Sequence, residues 1–182
     1  MSEEYLDLVD ENGELTGERE LRSVCHAKGL WHRSVHIYLF RKINGTIELL
    51  THLRSLTKDT SPGKWTMMFG GHIESGQTLQ ETISTELSEE IGLVVDFNEL
   101  ITGLTLLHDR NKNREFVYSY FLRFNDDAKK LVFNDDEVQQ VKWMTFDEIK
   151  KSVKANPDKW SNITRIINLI KKDLLYRLSQ KI

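Results

Sequence analysis

Residues 71–93 read GHIESGQTLQETISTELSEEIGL, and this stretch decides the fold of the protein. Thr78 and Glu81 have the T-x-x-E spacing of a capping box, so a helix is predicted to begin at Thr78. Gly92 predicts the end of this helix, because glycine readily adopts the left-handed conformation that closes helices. The loop before the helix contains glycines that allow close approach of the backbone: Gly70, Gly71 and Gly76.

Three glutamates, Glu86, Glu89 and Glu90, fall on the second half of this helix. At about 100° per residue they lie within an arc of ~100° of its surface. The apolar stripe beside them consists of Leu79, Ile83, Leu87 and Ile91. Like charges so close together repel one another, and a divalent cation would relieve that repulsion. Carboxylate oxygens suit a hard ion such as Mg²⁺ or Mn²⁺. The competing interpretation is a solvated acidic helix face that binds no ion.

The same stretch resembles the Nudix box, G-x5-E-x7-R-E-U-x-E-E-x-G-U, where U is an aliphatic residue. The box positions that match are Gly71, Glu86, Leu87, Glu89, Glu90, Gly92 and Leu93. The resemblance implies an α/β protein with the Nudix fold, an α/β/α sandwich with a mixed β-sheet. It also implies a metal-dependent hydrolase that cleaves a diphosphate linkage in a nucleoside diphosphate derivative or a similar small molecule.

Two positions depart from the box, with Gln77 in place of its first Glu and Thr85 in place of its Arg. In the Nudix family these two charged residues commonly pair and brace the loop against the helix. Both charges are lost here, which leaves no buried charge without a partner. We therefore expect Gln77 and Thr85 to form a neutral, hydrogen-bonded brace while the metal-binding glutamates are kept. The rival interpretation is decay of a catalytic motif.

The resemblance also assigns the site residues. Glu86, Glu89 and Glu90 are implied as catalytic residues and as ligands of Mg²⁺ or Mn²⁺, with the backbone carbonyl of Gly71 as an added ligand. Nudix enzymes differ in whether a box glutamate or a carboxylate from a later loop activates the attacking water. The acidic run at residues 135–137 precedes a predicted strand, and Glu137 is our candidate for this general base.

Three further stretches resemble the branch of the family that contains isopentenyl-diphosphate isomerase and its hydrolase relatives. They are residues 25–40 (CHAKGLWHRSVHIYLF), 54–72 (RSLTKDTSPGKWTMMFGGH) and 134–144 (NDDEVQQVKWM). In the isomerases the basic residues that match Arg54 and Lys58 hold the substrate diphosphate, a role that suits a guanidinium and an ammonium group. The catalytic cysteine of the isomerases would fall at Gly70, which has no proton donor. Hydrolysis is therefore favoured over isomerisation, and a catalytically inactive Nudix-like binding module is a third possibility.

The isomerases also bind a metal through histidines, and the pattern of His26, His32 and His72 partly matches theirs. Glu115 lies near the position of their carboxylate ligands. The spacing between His26 and His32 is one residue short of the expected pattern. The sequence leaves open whether these four residues bind a metal.

The whole chain of 182 residues is long enough to bury a sizeable core and is predicted to form a single domain, 1–182. Within it we expect residues 1–30 to form an N-terminal extension and residues 155–182 a C-terminal helix that packs on the domain. Strands are predicted at 5–9, 34–40, 47–54, 65–69, 94–97, 104–107, 115–124 and 138–144, and further helices at 145–153 and 162–178. Residues 21–31 could form a loop or a broken helix. Strands interleaved with helices predict a mixed sheet covered on both faces.

Composition restricts the partners and the location of the protein. The chain is 39% hydrophobic and 29% charged with a net charge of −3, and its lysine pairs are scattered, which argues against a nucleic-acid partner. Cys25 is the only cysteine, so an intramolecular disulfide is excluded. The acidic start lacks an apolar signal core, and no apolar run approaches the ~20 residues that span a bilayer. We expect a cytoplasmic monomer or homodimer that acts on a small-molecule diphosphate without a membrane partner.

Overall fold

The computed structural model describes residues 4–110, 112–133 and 137–180. The strands are β1 (Tyr5–Val9), β2 (Leu15–Leu21), β3 (Trp31–Ile43), β4 (Thr46–Arg54), β5 (Trp65–Thr66), β6 (Ile101–Arg110), β7 (Asn113–Arg123) and β8 (Val138–Thr145). The helices are α1 (Arg22–Lys28), α2 (Leu79–Ile91), α3 (Phe146–Ala155) and α4 (Ile167–Ser179). Within these described residues, no helix has the length and apolar character that are required to cross a bilayer.

The central sheet is mixed and has six strands in the order β5-β4-β3-β7-β6, with β8 paired to β4 as well. β3 and β7 run parallel, and the other pairs in this sheet are antiparallel. β1 and β2 form a separate antiparallel hairpin. The parallel pair lies at the centre of the sheet and brings His32 directly opposite Glu115.

Two apolar cores cover the two faces of the sheet. On one face, Ile83 and Leu87 of α2 pack against Val35 and Ile37 of β3. On the other face, helices α3 and α4 pack against a cluster that includes Tyr38 of β3. Alternate side chains of one strand therefore enter different cores, as the pleat of a strand requires. The α/β/α sandwich with a mixed sheet that the resemblance implied is confirmed.

The ends of α2 form as the sequence predicted. The Thr78 hydroxyl accepts the backbone N–H of Glu81, and the Glu81 carboxylate accepts the backbone N–H of Thr78. Gly92 closes the helix with φ 65°. Because both caps are local, they position α2 at the end of the glycine loop without help from distant residues.

Some predicted elements differ from the observed ones. The predicted strand at 94–97 is wrong, because Phe97–Glu99 forms a 3-10 turn whose start is capped by the Asp96 carboxylate accepting the Asn98 N–H. Such local side-chain bonds compete with strand pairing. Residues 21–31 contain the short helix α1. The exposed, polar strand β2 was not predicted, since it lacks an alternating apolar pattern and pairs only with β1.

The N-terminal hairpin supports the glycine loop. The Asp7 carboxylate accepts hydrogen bonds from the Ser75 hydroxyl at 2.7 Å and the Gly76 backbone N–H at 3.1 Å. The Ser75 N–H donates to the Tyr5 carbonyl at 2.7 Å. At the far edge of the sheet, the Asp173 carboxylate of α4 accepts the Leu104 N–H at a bulge in β6. Both terminal regions therefore contact the central sheet or the loop that leads to α2.

Candidate active site

The glycine loop follows β5, runs antiparallel beside β3 and leads to the start of α2. The Val35 N–H donates to the Gly71 carbonyl at 2.9 Å. Gly70 has φ +125°, and a Cβ atom there would overlap the Val35 carbonyl oxygen. A Cβ atom at Gly71 would overlap the Glu86 carboxylate. Glycine is thus required at position 70, whereas at position 71 the missing side chain lets the Glu86 carboxylate lie directly against the backbone.

Two glutamates of α2, the buried Glu90 and the half-buried Glu86, form a carboxylate pair. Glu86 and Glu90 are one helical turn apart, and Glu90 is only 1% exposed. The Gly70 N–H donates to Glu90 Oε2 at 3.1 Å. Burial and the charge of Glu137 raise the pKa of Glu86 to about 7. Burial and the charge of Glu86 raise the pKa of Glu90 well above its usual range. Such a pair needs a cation or a proton to neutralise it.

Glu89, the third predicted glutamate, has an exposed side chain on the same helix. Its charge is close enough to contribute to the raised pKa of Glu86. The three glutamates therefore differ in environment, with Glu90 buried, Glu86 half-buried against the glycine loop and Glu89 exposed at the rim.

Two basic residues face the carboxylate pair. Lys58 Nζ forms an ion pair with Glu137 and lies 3.9 Å from Glu90 Oε1. Arg54 Nε donates to the Thr60 carbonyl at 3.0 Å, which fixes its guanidinium group. Burial lowers the pKa of Arg54, an effect that the charges of Glu90 and Glu137 oppose. The structure therefore brings Arg54, Lys58 and Glu137 together with the box glutamates.

Glu137 is held at this site through the backbone as well. The Ser55 N–H donates to the Glu137 carbonyl at 2.8 Å, next to Arg54 at the end of β4. The two other acidic residues of the predicted run, Asp135 and Asp136, lie outside the described residues.

The expected hydrogen-bonded brace between Gln77 and Thr85 is wrong. The partner of Gln77 is Thr82, whose hydroxyl donates to Gln77 Oε1 at 2.8 Å. Thr82 is 2% exposed, whereas Thr85 has an exposed side chain. A threonine side chain is much shorter than the arginine of the box. The hydrogen bond to Gln77 therefore comes from Thr82, which lies nearer the start of the helix than Thr85. The neutral bond between loop and helix is retained with a different partner.

A second cluster of possible ligands lies beside the glycine loop. It consists of His26 of α1, His32 of β3, His72 after the loop and Glu115 of β7, and their ligand atoms lie within 4.8 Å of one another. Glu115 Oε1 is 3.3 Å from His72 Nε2 and 3.6 Å from His32 Nε2. The short spacing between His26 and His32 does not prevent convergence, because α1 ends at Gly29, which has φ 69° and turns the chain into β3.

The charges of this histidine cluster are partly neutralised within the protein. Burial and the neighbouring His72 lower the pKa of His26 to about 4. Burial alone would lower the pKa of His72, but hydrogen bonds with Glu115 and Glu4 raise it to about 9. Burial likewise opposes the hydrogen bonds from His32 and His72 that hold the pKa of Glu115 well below its usual range.

The donor set of each cluster fits a divalent cation. His26 Nε2 is buried and has no hydrogen-bond partner among the described residues, so a lone pair is available for a metal. In the carboxylate pair, the glycine backbone leaves the Glu86 oxygens in direct contact with Gly71. Imidazole nitrogens with one carboxylate suit a transition metal, and carboxylates alone suit Mg²⁺.

Some residues of the site were missed in the sequence. Glu4 Oε1 lies 3.2 Å from His72 Nδ1, Asn113 Nδ2 donates to Glu115 Oε1 at 2.8 Å, and the Ser34 hydroxyl donates to Glu115 Oε2 at 3.1 Å. The period-two alternation of His32 and Ser34 along β3 was the available signal for Ser34. For Glu4 the sequence holds no signal, because its contact depends on the packing of the N-terminal hairpin.

Comparison with known proteins gives concordant results. The family profile described as the NUDIX domain matches residues 30–165. The Nudix hydrolase CA_C0446 of Clostridium acetobutylicum is 30% identical over 155 residues, which cover 83% of this chain and 74% of that protein. An isopentenyl-diphosphate Delta-isomerase of Aliivibrio fischeri is 29% identical over 162 residues, 87% of this chain and 89% of the isomerase. The crystal structure of DR0079 from Deinococcus radiodurans has a TM-score of 0.74 at 22% identity, covering 91% of this chain and 98% of that one.

Proposed function

This chain belongs to the NUDIX domain family, and on that premise we propose that it is a divalent-metal-dependent hydrolase. Its substrate would be a nucleoside diphosphate derivative or a similar small molecule with a diphosphate linkage. The observation that carries the proposal is the pair of Glu86 and the buried Glu90, which lies against Gly70 and Gly71 and faces Lys58. A buried pair of like charges is costly in a purely structural role, and it is useful where a cation and a phosphate must be held.

The box glutamates would hold Mg²⁺ or Mn²⁺, with Glu89 completing the set from the rim and the Gly71 carbonyl as an added ligand. When bound, the ion supplies charge neutralisation at the phosphates and lowers the pKa of the attacking water. The Gly71 carbonyl already accepts the Val35 N–H, which leaves its second lone pair for this role.

Arg54 and Lys58 would bind the diphosphate oxygens that the ion does not neutralise. Arg54 is held in place by Thr60, whose carbonyl and hydroxyl oxygens accept hydrogen bonds from Nε and one terminal nitrogen, so its other N–H groups can donate to phosphate. Lys58 is a flexible point charge that contacts Glu137 and Glu90, and it can turn towards a phosphate that binds beside them.

Glu137 is the proposed general base. Its carboxylate lies across Lys58 from Glu90 and contributes to the raised pKa of both box glutamates of the pair. A carboxylate so near the ion-binding residues is within reach of a water that attacks phosphorus. Lys58 contacts both Glu137 and Glu90. When Lys58 turns towards a bound phosphate, the Glu137 carboxylate would lose this ion pair and become free to accept a proton from the water.

The isomerase alternative is disfavoured by the backbone at Gly70. Isomerisation needs a proton donor or acceptor at this position, and a side chain here would overlap the Val35 carbonyl. Cys25 is fully buried in α1, and burial raises the pKa of its thiol, which makes it a poor substitute. The alternative of a catalytically inactive module predicts that the protein binds a diphosphate compound without hydrolysing it, which a measurement of phosphate release would distinguish.

We also propose that the histidine cluster holds a second divalent cation. The convergence of three imidazoles and a carboxylate within 4.8 Å supports this role, as does His26 Nε2, which has no hydrogen-bond partner within residues 4–110, 112–133 and 137–180. One member of the cluster, His72, directly follows Gly71 in the glycine loop. A cation bound by the cluster would therefore lie next to the diphosphate site and stabilise the loop.

Location and assembly complete the proposal. We propose that the protein acts in the cytoplasm as a monomer or homodimer on a small-molecule substrate. Cell fractionation and light scattering of the purified protein test these two points, and a membrane-bound or higher-order species would contradict them.

The experiment that tests the main proposal measures phosphate release with and without Mg²⁺. The panel contains nucleoside diphosphates, dinucleotides and prenyl diphosphates. We expect Mg²⁺-dependent hydrolysis of at least one compound, and none in EDTA. Conversion of isopentenyl diphosphate to its allylic isomer would support the isomerase instead, and binding without any product would support the inactive module.

A further inference from the structure

The part of the glycine loop that follows Gly71 is held by two different strands. The Ile73 N–H donates to the Arg33 carbonyl of β3 at 3.0 Å. From the N-terminal hairpin, Leu6 of β1 forms an antiparallel bridge with Glu74. The loop is therefore attached through its backbone both to the central sheet and to the hairpin.

Asp7 of the hairpin adds a charged group to this attachment. Its Oδ1 accepts the Ser75 hydroxyl at 2.7 Å, and its Oδ2 accepts the Gly76 backbone N–H at 3.1 Å. The guanidinium group of Arg33 lies 3.7 Å from the same Oδ2. Burial acts to raise the pKa of Asp7, but the hydrogen bonds from Ser75 and Gly76 and the charge of Arg33 lower it, so the carboxylate is ionised at neutral pH.

The segment that Asp7 holds connects the two parts of the carboxylate site. In one direction it continues to Gly71, whose backbone lies against the Glu86 carboxylate. In the other direction it continues to Thr78, the N-cap of the helix that carries Glu86 and Glu90. A shift of this segment would therefore change the position of the Gly71 carbonyl relative to the two carboxylates. Ligands of a metal ion must be held within about 0.5 Å of the productive geometry.

We propose that Asp7 is a positioning residue of the ion-binding site, and that through it the N-terminal hairpin holds the glycine loop in the geometry that binds the ion. This inference rests on the proposed function, which assigns the ion to the box glutamates and the Gly71 carbonyl. An ionised carboxylate makes stronger hydrogen bonds than a neutral acceptor, which suits it to hold two donors of one loop. The hairpin precedes residue 30, where the match to the family profile begins, so this contact comes from outside the matched domain.

Amide hydrogen exchange and calorimetry with Mg²⁺ test the inference without relying on turnover. In Asp7→Asn we expect the backbone amides of residues 70–77 to exchange about tenfold faster, because the asparagine has one oxygen acceptor where the aspartate offers two. The affinity of the protein for Mg²⁺ should fall about tenfold, as is typical when a group that orients metal ligands is lost. At saturating Mg²⁺ the KM for substrate should be unchanged, because Arg54 and Lys58 lie on a different segment.

Asp10→Asn is the matched control, because Asp10 accepts the backbone N–H groups of Asn12 and Glu14 in the turn of the same hairpin. It should change neither the exchange of residues 70–77 nor the affinity for Mg²⁺. If Asp7→Asn unfolds, which a thermal melt reports, Ser75→Ala removes only the hydroxyl bond and should shift both quantities about threefold in the same direction.

Unchanged exchange in Asp7→Asn, unchanged affinity for Mg²⁺, or equal effects of Asp10→Asn would each overturn the inference. Weaker Mg²⁺ binding by Asp7→Asn together with no hydrolysis by the wild-type protein would overturn only the proposed function.

Discussion

The carboxylate pair and the histidine cluster lie on either side of the same glycine loop, yet their electrostatics are opposite. In the pair, Glu86 and Glu90 face each other and both have raised pKa values, so the protein leaves negative charge to be neutralised from outside. In the cluster, Glu115 is paired with histidines, and its pKa is held low. The first region is therefore suited to an exchangeable hard ion that arrives with a phosphate, and the second to a more permanently bound ion with nitrogen ligands.

The most severe change to the first region is Glu90→Gln. The amide can still accept the Gly70 N–H, so we expect the fold to be kept. Loss of one charge from the pair should lower kcat by about a thousandfold, as is typical when a preorganised charge is removed. Steady-state phosphate release measures this effect, and Glu99→Gln, an exposed carboxylate on the 3-10 turn, is the control. Near wild-type turnover of Glu90→Gln would show that the pair is not the active centre.

Glu137→Gln tests whether the reactive water is activated from outside the box helix. We expect kcat to fall by about a hundredfold and the acidic limb of the pH–rate profile to flatten, because an amide cannot take up a proton. The full profile of kcat against pH is the measurement. An unchanged profile with unchanged kcat would return the role of base to Glu89 or Glu90.

Removal of the basic residues should affect binding more than chemistry. Lys58→Ala and Arg54→Ala are each expected to raise KM about tenfold and to lower kcat less, since both residues contact the phosphates in ground and transition state alike. Lys42→Ala, an exposed lysine on β3, should change neither constant. A pure loss of kcat with KM unchanged would contradict the assignment of these residues to the diphosphate.

The second region is tested by His26→Gln, which removes an imidazole nitrogen that has no hydrogen-bond partner in the described structure. We expect the affinity for Mn²⁺ at one of two sites to fall about tenfold, as measured by calorimetry. Glu90→Gln should weaken the other site, so the two variants identify the two sites separately. The control is His108→Gln. Loss of both sites in either variant would mean that the two regions share one ion.

Glu86 should also affect the stability of the metal-free protein. The pKa of Glu86 is about 7 in the folded protein and 4.5 in its ordinary state. The folded state therefore holds the proton more tightly, so the contribution of Glu86 to stability is full below pH 4.5 and is lost as the pH rises through about 7. Glu86→Gln should stabilise the protein in EDTA at pH 8 by up to about 3 kcal/mol.

Thermal melts at several pH values measure this difference. It should disappear near pH 4.5 and reverse when saturating Mg²⁺ is added, because only the wild type retains the full charge for the ion. The corresponding change in Tm is about 2–4 °C for each kcal/mol in a chain of this size. A variant that is less stable than the wild type in EDTA at pH 8 would contradict the raised pKa.

The features that could be predicted from the sequence are those with local causes. The capping box at Thr78, the glycine at 92 and the arc of glutamates all depend on residues within a few positions of one another. The partner of Gln77 could not be predicted in the same way, because side-chain length decided between Thr82 and Thr85.

The remaining features depend on distant parts of the chain. The ion pair of Lys58 with Glu137 and the contact of Glu4 with His72 arise only when separate elements pack together. Residue spacing left open whether the histidines converge, because the turn at Gly29 that brings His26 beside His32 depends on the end of α1. The α/β/α sandwich could be predicted from the sequence, because the Nudix box and the interleaved strands both indicated this architecture.

The parallel pairing of β3 and β7 has a consequence for the order of folding. Ser34 and Glu115, which join across it, are 81 residues apart, whereas the cap of α2 closes over three residues. Closing so long a segment costs chain entropy before any contact is gained, so such pairings form slowly and late. A nascent chain thus displays its box helix before the histidine cluster exists, because Glu115 joins the histidines only once the β7 strand has been synthesised and docked.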